Sequence, residues 1–149
     1  AEALYEKNGQ ITDEQLDLTI NDLRNRANMP RLTNAFVATN GLNMQEEIRR
    51  ERTVELAFEG YRRDDLRRWG TAETVLPLAI RGVKFVGTEY QQKFPELVIG
   101  QDIQVDSEGF IIAQPASARK FQTPKHWLSP IPLQQVQLSK GTLEQNPGW

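Results

Sequence analysis

The sequence contains no cysteine. That excludes a disulfide framework, a thiolate metal site and a cysteine nucleophile. It has one histidine, His126, with no histidine, cysteine or carboxylate partners at ligand spacing, so a zinc site lacks its donors. No glycine run matches a phosphate-binding loop, and no serine stands in a G-x-S-x-G elbow. "DIQVDSEG" lacks the twelve-residue spacing and closing glutamate of a calcium loop. No cofactor is expected. No apolar run approaches the roughly 20 residues of a membrane-spanning helix. Neither sign of charge dominates: 18 Lys and Arg stand against 20 Asp and Glu, a net −2. The basic surplus that nucleic-acid binding needs is therefore absent.

What is present describes a globular chain. Its 149 residues are 38% hydrophobic and 26% charged, enough for one domain with a real core. The chain opens on "AEALYEKNG", which reads as the second half of a helix, Ala1–Lys7, stopped by Gly9. The reading therefore expects a fragment whose N-terminal part lies upstream of Ala1. A second helix is expected over Thr12–Ala27. Thr12 and Gln15 make a capping box, Leu16, Ile20, Leu23 and Ala27 make an apolar stripe, and Pro30 closes it. The two helices form a tight antiparallel hairpin, the unit of helical-repeat folds. Residues 31–41 read as a loop with some local structure.

Asn43 caps a third expected helix from about Met44 to Phe58. Ile48, Arg52 and Glu55 share one face; Val54, Ala57, Phe58 and Tyr61 share another. A short continuation from Arg62 to Trp69 stops at Gly70. Beyond Gly70 prolines and glycines punctuate the chain. "DIQVDSEGFIIAQP" predicts a β-hairpin turning at Asp106–Gly109. "SPIPLQQVQLSKG" predicts a short helix with Pro132 in its first turn and Gly141 past its end. The expected architecture is mainly α: a helical-hairpin scaffold, tetratricopeptide-like, with a long irregular C-terminal half containing a short β-hairpin.

The charge is concentrated in "EEIRRERTVELAFEGYRRDDLRRWG", Glu46–Gly70, where seven arginines meet seven acids. Equal numbers cancel, so a phosphate backbone sees little net attraction. Glu51 and Glu55 lie four apart on a helix, within the roughly 5–9 Å that a glycosidase requires. They could serve a carbohydrate-active hydrolase. However, arginine neighbours favour ionised carboxylates, the wrong state for a general acid. A structural ion-pair helix is the favoured reading, carried by Arg49, Arg50, Glu51, Arg52, Glu55, Glu59, Arg62, Asp65, Arg68 and Trp69. The aromatics of the irregular half (Tyr90, Phe94, Phe110, Phe121, Trp127 and Trp149) supply the remaining chemistry. Their rings can stack on sugar C–H faces or fill the core under the loops. Tyr90 and Trp127 are the candidate ligand contacts. A helical-repeat interaction module without a sugar ligand also fits this pattern.

Three blocks together resemble the SusD/RagB family, the outer-membrane glycan-binding lipoproteins of Gram-negative bacteria. They are "TINDLRNRANMP", "IRRERTVELAFEGYRRDDLRRWG" and "QPASARKFQTPKHWLSPIPLQQVQLSKGTLEQNPGW". They span almost the whole chain in the expected order. Trp127 and Ser129 stand where the family commonly has a tyrosine and a tryptophan. The resemblance implies a protein about three times longer, of which this chain is the C-terminal portion. It implies a signal peptide and a lipidated cysteine upstream, then tetratricopeptide-like hairpins. It implies a non-enzymatic, surface-exposed outer-membrane protein of polysaccharide utilization. Such a protein binds oligosaccharides and covers a TonB-dependent, SusC-like transporter. No nucleic-acid partner is implied.

Overall fold

The computed structural model describes residues 1–149. The chain packs as two compact units, Ala1–Arg62 and Arg63–Trp149.

In the first unit, α1 (Glu2–Asn8) ends where Gly9 turns left-handed at φ 70° and returns its amide to the Tyr5 carbonyl. A glycine tolerates that φ without a Cβ penalty, which makes it an efficient helix stop. Helix α2 (Asp13–Asp17) opens on the expected capping box. The Gln15 amide donates to Thr12 Oγ1 at 3.3 Å, and the Thr12 amide donates to Gln15 Oε1 at 3.0 Å.

The continuous helix expected to Ala27 is interrupted. Helix α2 stops at Asp17, and α3 (Ile20–Arg26) begins after Thr19. Thr19 lies at φ −133°, ψ −91°, and its hydroxyl donates to the Gln15 carbonyl at 2.7 Å. That hydroxyl competes with a helical amide for the same acceptor. The break leaves Leu18 in solvent.

Helix α4 (Asn34–Thr39) forms inside the expected loop, capped by Thr33, whose Oγ1 accepts the Phe36 amide at 3.0 Å. Helix α5 (Met44–Glu55) starts on the Asn43 cap as expected. It ends at Glu55 instead of running on to Phe58. Ala57 and Glu59 donate three residues back, to Val54 and Leu56, so the winding tightens into turns. Phe58 then adopts φ 67° ahead of Gly60 at φ 84°. The predicted apolar face of Val54, Ala57, Phe58 and Tyr61 therefore does not form; all four are exposed.

The core of this unit is Ile11, Leu16, Ile20, Leu32, Val37, Met44 and Ile48, flanked by Ala1, Leu4, Tyr5 and Phe36. Leu16 and Ile20 of the predicted stripe are in it; Leu23 is half-buried and Ala27 is exposed. Each fully buried aliphatic side chain contributes about 1.5–3 kcal/mol.

The second unit contains α6 (Arg62–Arg68, beginning at the last residue of the first unit), α7 (Ala72–Val75), β1 (Ile80–Lys84), α8 (Glu89–Lys93), β2 (Phe110–Gln114) and α9 (Leu133–Leu138). Single 3-10 turns lie at Ala116–Ala118 and Lys125–Trp127, and the Thr123–Pro124 peptide is cis. Strands β1 and β2 pair antiparallel, Ile80 with Gln114, Arg81 with Ile112 and Lys84 with Phe110, with irregularities between.

The hairpin turn forms where expected. Asp106 donates its amide to the Phe110 carbonyl at 2.9 Å, and Asp106 Oδ1 accepts the amides of Glu108 and Phe110. Pairing across that turn is brief, a bridge between Val105 and Ile111. The long partner of β2 is β1 instead. Gly109 explains part of the geometry. Its φ is 86°, and a Cβ there would lie 2.8 Å from Val86 Cβ. The bare Cα lets its carbonyl accept both the Phe85 and Val86 amides. In this unit Leu66, Ala72 and Phe85 are buried, while many large apolar side chains are exposed. Regular elements here are too short to bury continuous faces.

Candidate functional site

The charged stretch resolves into defined pairs. Arg24, only 5% exposed, donates through Nε and Nη2 to Glu51 Oε1 at 2.7 and 2.6 Å, and through Nη1 to the Pro30 carbonyl at 2.9 Å. Arg26 holds both oxygens of Glu55 at 2.6 Å. Arg49 reaches Glu6 at 3.2 Å, and Arg52 lies 4.0 Å from Glu2. Helix α5 is thus tied to α1 and α3 by charge as well as through Met44 and Ile48 in the core. Within the stretch, Arg50 pairs with the buried Glu47, and Arg68 with Asp65 at 2.9 Å. Arg62 donates to Thr53 Oγ1 at 2.8 Å. Arg68 also lies 5.5 Å from the ring centre of the half-buried Trp69. Glu59 is exposed.

An open groove of about 520 Å³ runs between α1, α3 and α5, floored by Ile20, Leu23, Ile48 and Leu56. Its rim carries Glu2, Glu51, Arg52 and Glu55, and these are the groups just described as paired. The rim's charges are therefore already matched by opposite charges. Glu51 and Glu55, the two carboxylates of the hydrolase alternative, are both held by arginines.

A second groove, about 360 Å³, lies within the other unit. Its lining comes from four places: Arg63 of α6, Leu76 after α7, Gln114 at the end of β2, and Ala118, Arg119, Lys120, Phe121 and His126 of the following loop. Arg119 is fixed at two points. Its Nε donates to the Leu76 carbonyl at 2.8 Å and its Nη1 to Gln114 Oε1 at 2.9 Å. His126 is fixed by its neighbours. Nδ1 accepts the Gln122 amide at 3.0 Å, which leaves the ring proton on Nε2 as a donor. Its carbonyl accepts Arg67 Nε at 2.8 Å.

Phe121 stands in an aromatic group. Its ring meets His126 edge-on at 5.6 Å and Trp127 edge-on at 4.9 Å, an arrangement that aromatic quadrupoles favour. Trp127, a predicted contact, therefore backs Phe121 and does not itself line the groove. Tyr90, the other predicted contact, sits half-exposed on α8 beside Lys93 and lines neither groove. Sequence reading missed Arg63, Gln114, Arg119 and Phe121 as a set. Only Phe121 had a signal, as one of six scattered aromatics.

The tail clamps this loop. Gln145 exchanges two hydrogen bonds with the backbone of Ile131, both 2.8 Å. Asn146 Nδ2 donates to the Ser129 carbonyl at 2.6 Å. Trp149 Nε1 donates to the carbonyls of Lys125 at 2.8 Å and Leu128 at 3.1 Å. Gly148 packs on Lys125 so closely that a Cβ would lie 2.9 Å from Lys125 Cβ. The "QNPGW" motif is therefore a set of backbone clamps on residues 125–131, next to the groove.

No helix is long and apolar enough to cross a membrane. No curated protein and no solved structure matches the chain. The SusD family model matches residues 1–149. That family is one of binding proteins, associated with glycans and nutrient uptake, rather than of enzymes. From end to end, the chain belongs to the SusD family.

Proposed function

We propose that the chain binds oligosaccharides without catalysis through the groove of Gln114, Arg119, Phe121 and His126. The observation that carries this reading is the groove's composition. One aromatic ring, backed by Trp127, stands beside an amide, a guanidinium and an imidazole donor whose positions are fixed by their own hydrogen bonds. Polar groups converging beside an apolar ring give a small ligand both a surface to pack on and fixed partners that orient it. Sugars offer C–H faces to the ring and hydroxyls to the polar groups. Preset donors lower the ordering cost of binding.

In this reading the bound glycan passes to a TonB-dependent, SusC-like transporter. The protein then works at the outer-membrane surface, held by a lipid anchor elsewhere in the protein. Family membership supports both points. The hydrolase alternative has no supporting geometry, because Glu51 and Glu55 are engaged by Arg24 and Arg26.

Titrating the full chain with a panel of oligosaccharides, by calorimetry, tests the reading. Binding by the wild type is expected, with loss of roughly fivefold to a hundredfold in Phe121→Ala, on the scale of the about 1–3 kcal/mol that an aromatic ring contributes when a nucleobase stacks on it. Equal binding by wild type and Phe121→Ala would move the site elsewhere. No binding across the panel would remove the glycan role.

A further inference from the structure

The groove has a property that a neutral sugar does not require. Arginines in this chain are generally given an acid: Arg24, Arg26, Arg31, Arg49, Arg50, Arg52, Arg68 and Arg81 all have carboxylate partners. Arg63, Arg67 and Arg119 have no carboxylate partner. Arg67 instead holds the His126 carbonyl, while Arg63 and Arg119 line the groove together with Lys120, which like most of the chain's lysines is unpaired. No carboxylate lines it. Three uncompensated cations converge in a chain whose net charge is −2. Like charges gathered without acids repel one another, an arrangement that an incoming anion relieves. Arg119 has Nε and Nη1 occupied, which orients the rest of a planar donor suited to carboxylate and sulfate oxygens.

We infer that the groove selects anionic oligosaccharides, sugars carrying uronate carboxylates or sulfate esters, with Arg63, Arg119 and Lys120 reading the negative groups while Phe121 packs the ring. This rests on the groove being the glycan site. The two anions share the chemistry that the cations recognise and differ in geometry, so both are tested.

The experiment is calorimetric titration of the full chain with three probes of equal length: an oligogalacturonate, its fully methyl-esterified neutral form, and a sulfated galactan oligosaccharide. At least one anionic probe is expected to bind tenfold or more tighter than the ester, with affinity falling as salt rises. The double variant Arg63→Gln/Lys120→Gln is expected to bring the anionic and neutral affinities together. Both side chains are exposed, so its thermal midpoint should match wild type. Lys7→Gln, removing a cation on α1, should keep the preference. Preference for oligogalacturonate assigns the carboxylate as the anion, and preference for the sulfated probe assigns the sulfate. Equal or tighter binding of the ester would overturn anion selection while leaving the glycan reading standing. Failure of all three probes, with other neutral glycans also inert, would overturn both. Competition by sodium sulfate as strong as by the oligosaccharides would reduce the groove to a simple anion trap and overturn the inference.

Discussion

Asn21 and Leu32 are joined by two buried hydrogen bonds. Asn21 Nδ2 donates to the Leu32 carbonyl at 2.9 Å, and the Leu32 amide donates to Asn21 Oδ1 at 2.7 Å. The side-chain amide thus completes the backbone of a residue eleven positions on, as a neighbouring strand would. The same Nδ2 reaches Asp17 Oδ1 at 2.7 Å, across the break between α2 and α3. One side chain therefore ties the two short helices to the segment that leads into α4. Its burial is affordable because both of its polar atoms are satisfied.

Replacing Asn21 by leucine, similar in size, should destabilise the protein by about 2–4 kcal/mol. The substitution strands the buried amide and carbonyl of Leu32, at about 1–3 kcal/mol for each unsatisfied group. Urea unfolding with an unchanged m-value measures it. A loss under about 0.5 kcal/mol would show that water replaces the asparagine.

Gln145 repeats the device in the second unit, on Ile131. Gln145→Ala should release the Ile131 amide to fast hydrogen exchange while the Leu32 amide keeps its protection. Because the clamp borders the loop that carries His126, the same variant should weaken oligosaccharide binding several-fold. Unchanged exchange at Ile131 would mean the remaining clamps, Asn146 and Trp149, suffice.

These clamps show why part of the molecule was legible in the sequence and part was not. Local rules read well. The Thr12–Gln15 box, the Asn43 cap, the Gly9 stop and the Asp106 turn all depend on neighbours within four residues. The mainly α class and the β-hairpin followed from them. The break at Thr19 was missed because an apolar stripe continues through it, while a hydroxyl bond to Gln15 carries no signal in the pattern. The end of α5 was missed because Val54, Ala57 and Phe58 keep helical spacing in a backbone that does not follow it. The groove was illegible for a different reason. Arg63, Gln114 and Phe121 come from α6, β2 and a loop, and no spacing rule joins positions 51 and 58 residues apart.

Glu51→Gln provides a sharp test of what the charged stretch does. The substitution leaves the buried Arg24 guanidinium without its counter-ion, while Arg24 Nη1 still holds the Pro30 carbonyl. Removing one member of a buried pair costs about 3–5 kcal/mol; Glu51 is 19% exposed, so about 2–3 kcal/mol is expected. Oligosaccharide affinity should be unchanged, because the groove is elsewhere. A double variant, Arg24→Met/Glu51→Leu, should recover most of the stability, since it removes both charges together. Oligosaccharide hydrolysis by the wild type that disappears in Glu51→Gln would instead revive the carboxylate pair as catalysts.

Acid stability should depend on Asp106. Burial pushes its carboxyl up, but the Phe110 and Glu108 amides and the Arg81 guanidinium more than offset that and hold it below the usual carboxylate range. A group whose folded pKa is depressed contributes stability above its unfolded value, about 3.9, and loses it as pH falls through the folded value. Asp106→Asn should therefore be less stable than wild type at pH 7, and the gap should close progressively below about pH 4. Thermal midpoints of both proteins between pH 7 and pH 2 measure the gap. Asp17, lowered by the Arg31 guanidinium and then by the Asn21 amide, titrates in the same direction. Asp17→Asn alone should leave the Asp106 contribution intact, because the two carboxylates sit in different units. A gap between wild type and Asp106→Asn that stayed constant to pH 2 would show that the turn carboxylate is not linked to folding through its proton.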